Sequence, residues 1–160
     1  MRFSGKTVSG GVAAAVIAIA TPFIIDWEGK RNFAYLDRIA NPPVWTVCYG
    51  QTGPKAFNGA YYTDKQCEDM LMQEVGEFYQ RIAACVKTDV PVSVQSSLLE
   101  LAYNVGSSAV CNSTAMRKAN AGDYEGACAE LDRWVNAGGE RVKGLVNRRN
   151  ASQAMCEKDL

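Results

Sequence analysis

The chain contains no histidine. That removes the Ser-His-Asp triad, the Cys-His dyad and His-ligated zinc. Chemistry must come from carboxylates, cysteines, hydroxyls, lysines or tyrosines, and paired carboxylates are the natural candidates. Glu28 lies in Asp26-Trp27-Glu28-Gly29, between an apolar run and a turn-rich stretch. A carboxyl group beside Trp27 and that run is expected to be desolvated, which suits a general acid. Asp37 follows in Tyr35-Leu36-Asp37-Arg38, and Thr46 sits in Val44-Trp45-Thr46-Val47-Cys48-Tyr49. A Glu that protonates a leaving oxygen, with an Asp and a Thr holding water opposite, is a workable glycosidase set. The plainer alternative makes Glu28 a surface carboxylate near a helix end and Asp37 a turn residue. Residue types alone favour the plainer one.

The cysteines are Cys48, Cys67, Cys85, Cys111, Cys128 and Cys156, and none forms a CxxC pair. A zinc knuckle or a dithiol redox motif is therefore not expected, and neither a metal nor a cofactor is implied. An even count at intervals of 17 to 28 residues predicts three disulfides and an oxidising compartment. Fifteen pairings are open. Nearest neighbours are preferred, as Cys48–Cys67, Cys85–Cys111 and Cys128–Cys156, because each closes a loop of moderate length.

The 160 residues amount to one domain's worth, with a 48% hydrophobic share that can build a core. The 17 basic and 17 acidic residues balance, which argues against a general nucleic-acid binder. Residues 7–25 carry no charge, follow Arg2 and Lys6, and precede Asp26. They are long enough to cross a bilayer, but small residues and Pro22 dilute them. Three readings follow: a cleaved signal peptide ending near Ala18-Ile19-Ala20, an uncleaved and marginal anchor, or an Ala-rich core helix. The cysteine count favours the two exported forms.

The elements that must position Glu28, Asp37 and Thr46 come next. Residues 33–62 read as a small β region with turns, and Val44–Tyr49 as its best strand. Thr63 opens a helix with a capping box, its partner being Gln66. Met70, Leu71, Val75, Phe78 and Ile82 continue that helix at helical spacing. A second helix starts at Pro91 and ends at Gly106, with Val94, Leu98, Leu101, Ala102 and Val105 as its stripe. Ser113–Asn120 is a short helix. Asp123 caps another through Val135, stopped by Gly138-Gly139, and a last helix runs from about Gly144 to Cys156. The class is α+β, a small β lobe followed by a larger helical one.

Trp27-Glu28-Gly29, Tyr35-x-Asp37 and Val44-Trp45-Thr46-Val47-Cys48-Tyr49-Gly50-x-Thr52 together resemble the active-site segment of T4-type phage lysozymes. Tyr103-Asn104-Val105-Gly106, Leu131-x-x-Trp134, Ala137-Gly138-Gly139 and Gly144-Leu145-Val146-Asn147-Arg148-Arg149 follow in order, so the resemblance covers residues 26 to 156. It is nearest to the signal-anchor-release endolysins of lambdoid phages.

The resemblance implies a lysozyme-like fold with the active-site cleft between its lobes. It implies hydrolysis of the β-1,4 bond between N-acetylmuramic acid and N-acetylglucosamine. Glu28 would be the general acid, with Asp37 and Thr46 positioning water. The spacing from Asp37 to Thr46 is three residues longer than usual, which a longer hairpin turn at residues 38–43 would absorb. Asn104 is implied to lie in the cleft, and Arg141 or Arg148 beside the catalytic Glu. The partners would be peptidoglycan and, before release, the inner membrane through residues 7–25. Residues 1–25 would be the anchor segment and 26–160 the catalytic domain, first held at the membrane and then free in the periplasm. A monomer is expected. With no Cys before Cys48 and Asp37 at the second catalytic position, control is expected from topology rather than disulfide exchange. A lytic transglycosylase, or a non-catalytic envelope-binding protein of the same fold, are the alternatives.

Overall fold

The computed structural model describes residues 10–160. Arg2, Lys6 and the first three residues of the apolar segment lie outside them. Helix α1 spans Gly10–Glu28 and is long and apolar enough to cross a membrane by length and composition. It runs through the expected boundary at residue 25 and ends only at Glu28. Pro22 lies inside it on an exposed position. Val16, Ala20, Thr21 and Ile24 are its buried residues, one stripe at helical spacing. The remaining positions of the helix are half-buried or exposed.

The chain clusters into two units. One is Thr21–Glu77, and the other is Phe78–Leu160 with residues 10–20. In the first, β1 (Arg31–Asp37) and β2 (Val44–Cys48) form an antiparallel hairpin. Its register pairs Tyr35 with Thr46, Leu36 with Trp45 and Asp37 with Val44. The loop is therefore residues 38–43, where the sequence expected the extra turn, and its Asn41-Pro42 bond is cis. Phe33 also bridges Tyr61, which brings a third extended segment to the edge of β1. A 3-10 turn covers Gly53–Lys55, and helix α2 runs Asp64–Cys85 across the division between units. Its capping box is made in full. Gln66 N donates to Thr63 Oγ1 at 3.2 Å, and Thr63 N donates to Gln66 Oε1 at 2.9 Å. Val47, Ala56, Ala60, Cys67, Leu71 and Val75 are buried in this unit.

The second unit is helical. Helix α3 (Val92–Val105) is buried on all sides from Ser93 to Ala102 and forms its axis. Around it stand α4 (Ser107–Cys111), α5 (Thr114–Asn120), α6 (Tyr124–Ala129) and α7 (Lys143–Glu157). Ser113 caps α5 by accepting from Met116 N, and Asp123 caps α6 by accepting from Gly126 N. The core joins Ile82, Val94, Leu98, Leu101, Met116 and Leu131 among others. Serines let α3 approach its neighbours closely. Ser93 Oγ donates to Cys156 O at 2.9 Å and Ser97 Oγ to Ser152 O at 3.0 Å. Ser96 Oγ reaches Val16 O of α1 at 3.4 Å.

Two expectations need correction. The helix capped by Asp123 stops at Ala129, continues as a 3-10 turn through Glu130–Arg133, and does not reach Val135. Gly138-Gly139 is not a helix stop but the turn of a short hairpin, β3 (Asn136–Ala137) with β4 (Glu140–Arg141). Both glycines have positive φ, 60° and 81°, as a tight two-residue hairpin turn requires. All three disulfides pair nearest neighbours: Cys48–Cys67, Cys85–Cys111 and Cys128–Cys156.

Candidate active site

Glu28 is the last residue of α1 and is partly buried. Its Oε2 lies against the turn that follows β2, where a Cβ placed on Gly50 would stand 3.5 Å away. That turn is held from several sides. Val47 and Gln51 exchange backbone hydrogen bonds, each of 2.9 Å, across Cys48-Tyr49-Gly50. Gln51 Oε1 accepts from Tyr49 N at 2.7 Å, while Gln51 Nε2 donates to Glu74 Oε2 of α2 at 2.9 Å. Cys48 takes a positive φ of 57°, rare for a residue with a Cβ, and its disulfide ties it to Cys67 on α2. The backbone beside the Glu28 carboxyl is thus fixed by covalent and hydrogen-bonded links.

Asp37 ends β1. Its Oδ1 accepts from Ile39 N at 2.9 Å and from Ala40 N at 3.4 Å, so the same carboxylate orders the hairpin loop. Thr46 is buried at 5% exposure, and its hydroxyl makes a long 3.4 Å bond to Val44 O. Opposed residues of an antiparallel pair share a face, and faces alternate along a strand. The register therefore puts Asp37, Val44, Tyr35 and Thr46 on one face of the hairpin. Asp37 and Thr46 are diagonal neighbours there, about 7 Å apart by the usual sheet spacing.

Lys30 and Asn32 brace the start of β1. Lys30 Nζ stands 2.7 Å from Asp64 Oδ1, and Asn32 Nδ2 donates to the same oxygen at 2.8 Å. The bond from Lys30, then that from Asn32, holds the Asp64 carboxyl below its ordinary value, and the bond to Asp64 raises Lys30.

The helical unit holds the other sequence candidates. Glu100 is fully buried on α3. Arg148 Nε reaches Glu100 Oε1 at 2.6 Å, and Ser152 Oγ reaches its Oε2 at 2.8 Å. Arg149 Nη1 lies 3.5 Å from Oε2, and Arg149 Nη2 donates to Asn104 Oδ1. Asn104 and Arg148 thus belong to one α3–α7 network, which sequence reasoning missed in Glu100, Arg149 and Ser152. The signal was present, since Ser96, Ser97, Glu100 and Asn104 recur at helical spacing on α3 and Arg148-Arg149 adjoin on a helix. Arg141 stands apart from this network, exposed on β4.

The sequence profile of the phage lysozyme family matches residues 25–152. A SAR-endolysin of Enterobacteria phage P21 is 36% identical over 157 residues, covering 94% of this chain and 93% of its own. A SAR-endolysin of Bacteriophage PS119 is 38% identical over 151 residues, covering 93% and 89%. Among solved structures, the muramidase domain of SpmX from Asticaccaulis excentricus superposes with a TM-score of 0.78 at 22% identity. That match covers 86% of this chain and 94% of the domain, and it supports the lysozyme-like α+β fold.

Proposed function

The chain belongs to the phage lysozyme family, and on that premise we propose Glu28 as its general acid, with Asp37 and Thr46 holding the attacking water. It is a phage endolysin, a glycosidase that hydrolyses the β-1,4 bond between N-acetylmuramic acid and N-acetylglucosamine of peptidoglycan and so lyses the host. Glu28 protonates the glycosidic oxygen as the bond to the anomeric carbon breaks. Water, oriented by the Asp37 carboxylate and the Thr46 hydroxyl, attacks from the opposite face, and Asp37 takes up its proton. The product is inverted at the anomeric carbon. The observation that carries this reading is the hairpin register, which gives Asp37 and Thr46 a common face in the unit that also contains Glu28.

Asn104 serves as a substrate-side residue in this reading. Of the two candidate arginines, Arg148 is buried and fixed to Glu100, whereas Arg141 is exposed. Residues 1–25 act first as a weak anchor in the host inner membrane, with the cleft unformed. After release into the periplasm residues 10–25 of the segment pack with the catalytic domain as a monomer. The buried stripe of α1 and the Ser96–Val16 bond support that packing. Topological control fails if a chain beginning at residue 26 is fully active.

The test is mass spectrometry of fragments released from purified peptidoglycan sacculi. Hydrolysis predicts reducing muramic-acid ends. Anhydro ends would instead identify a lytic transglycosylase, and no fragments at all an envelope-binding protein.

A further inference from the structure

The outer edge of β1 carries aromatic rings that the catalytic reading does not use. Phe33 and Tyr61 form a bridge flanked by Ala34 N to Ala60 O at 2.9 Å and Tyr62 N to Asn32 O at 3.0 Å. They are therefore a non-hydrogen-bonded pair, whose side chains stand close on one face. The rings are 4.7 Å apart and tilted by 48°, yet Phe33 is 66% and Tyr61 53% exposed. Two steps along the strand on either side lie Arg31 and Tyr35. The Arg31 guanidinium sits 4.4 Å above the Tyr35 ring, with no carboxylate in ion-pair reach among the described residues. Asp64, held by Lys30 and Asn32, closes the far rim. Together they line an open depression of about 590 Å³ within the β unit.

We propose that this depression, toward the start of β1 from Asp37, is a second glycan-binding site that holds another sugar ring of the same peptidoglycan strand. The inference rests on the assignment of peptidoglycan as substrate. Exposed rings with a guanidinium and a carboxylate lining the same depression give the mix of apolar surface and a few convergent polar groups that a ligand site uses. The lining selects the occupant. Tilted aromatic faces suit the C–H face of a pyranose, while a fixed guanidinium and a fixed carboxylate at the rims suit hydroxyl and acetamido groups. A bilayer would favour a continuous apolar face without the Asp64 charge. A strand of repeating disaccharides can engage this site and the catalytic site at once, and the second contact then acts at high effective concentration.

The test compares the full-length wild type with Phe33→Ala/Tyr61→Ala and with the ring-preserving Phe33→Tyr/Tyr61→Phe. Three readouts are taken: co-sedimentation with insoluble sacculi, initial rates on sacculi, and initial rates on a short soluble tetrasaccharide-peptide that holds one bond between N-acetylmuramic acid and N-acetylglucosamine. Loss of both rings is expected to weaken sedimentation and raise KM on sacculi about tenfold, the scale of an aromatic contact. kcat and the rate on the short substrate stay unchanged, and the ring-preserving pair behaves as wild type. If the alanine pair does not fold, Arg31→Gln replaces it, with a rise in KM on sacculi alone expected. Unchanged sedimentation and KM in a folded variant overturn the proposal, as does an equal loss on both substrates. Binding to phosphatidylethanolamine–phosphatidylglycerol vesicles that disappears with the rings, at unchanged KM, overturns it in favour of a membrane face. If wild type cleaves neither substrate, the glycosidase assignment fails, while sedimentation still decides the site.

Discussion

Neutralising Glu100 should be among the most destabilising single changes available in the helical unit. Its side chain is fully buried and lies within 2.6 Å of Arg148 Nε, 2.8 Å of Ser152 Oγ and 3.5 Å of Arg149 Nη1. Glu100→Gln keeps the volume but removes the negative charge facing two buried guanidinium groups. Breaking a buried pair in this way costs about 3–5 kcal/mol, because the desolvation of the remaining charge is no longer offset. For a chain of this size each kcal/mol moves Tm by about 2–4 °C, so the expected fall is on the order of 10 °C. The exposed Lys65–Asp69 pair on α2 is the control. Asp69→Asn should cost only about 0.3–0.5 kcal/mol, since solvent screens an i,i+4 surface pair. Thermal unfolding followed by circular dichroism, with disulfides intact, measures both. A Glu100→Gln loss under about 1 kcal/mol would refute the claim that this network ties α3 to α7.

Three further outcomes follow from the same geometry. Replacing both Cys128 and Cys156 by Ala should lower stability by about 3–4 kcal/mol in chemical denaturation, the chain-entropy value for a 28-residue separation. The Lys30–Asp64 link should give pH dependence at both extremes. The folded Asp64 carboxyl lies below its ordinary 3.8, so its contribution is present above 3.8 and fades as pH falls through the lowered value. Lys30 lies above 10.5, so its contribution is complete below 10.5 and fades as pH rises through the raised value. Asp64→Asn should flatten the acid limb of the stability–pH curve. Gly50→Ala should lower kcat and stability together, by about 1–2 kcal/mol in unfolding, because Gly50 holds a φ of 91° beside the Glu28 carboxyl.

What the sequence made legible was local. The Thr63/Gln66 capping box, the α3 limits at Pro91 and Gly106, and the Asp123 cap are made by residues three or four apart. The nearest-neighbour disulfides also followed from short loops. The hairpin loop at residues 38–43 was readable because the strand motif around Thr46 anchors the register. What escaped depends on distant partners or on choices between similar signals. Glu100 is explained by residues 48 to 52 positions away. Gly138-Gly139 ends a helix in one context and turns a hairpin in another, and only the pairing of Asn136 with Arg141 decides. Ser107–Cys111, helix α4, is five residues long, too short for periodicity to declare it. Glu28 was placed at the edge of the apolar run and, in the plainer reading, near a helix end; what escaped is that the helix of the apolar run itself continues past Ile25 to Glu28.

The most direct test of the account is turbidity loss of outer-membrane-stripped Gram-negative cells on adding oxidised wild type or Glu28→Gln. The account predicts rapid clearing by wild type and none by the variant, with the same fold by circular dichroism. Equal clearing by both would contradict it, and would shift the lytic activity to membrane damage by the N-terminal segment.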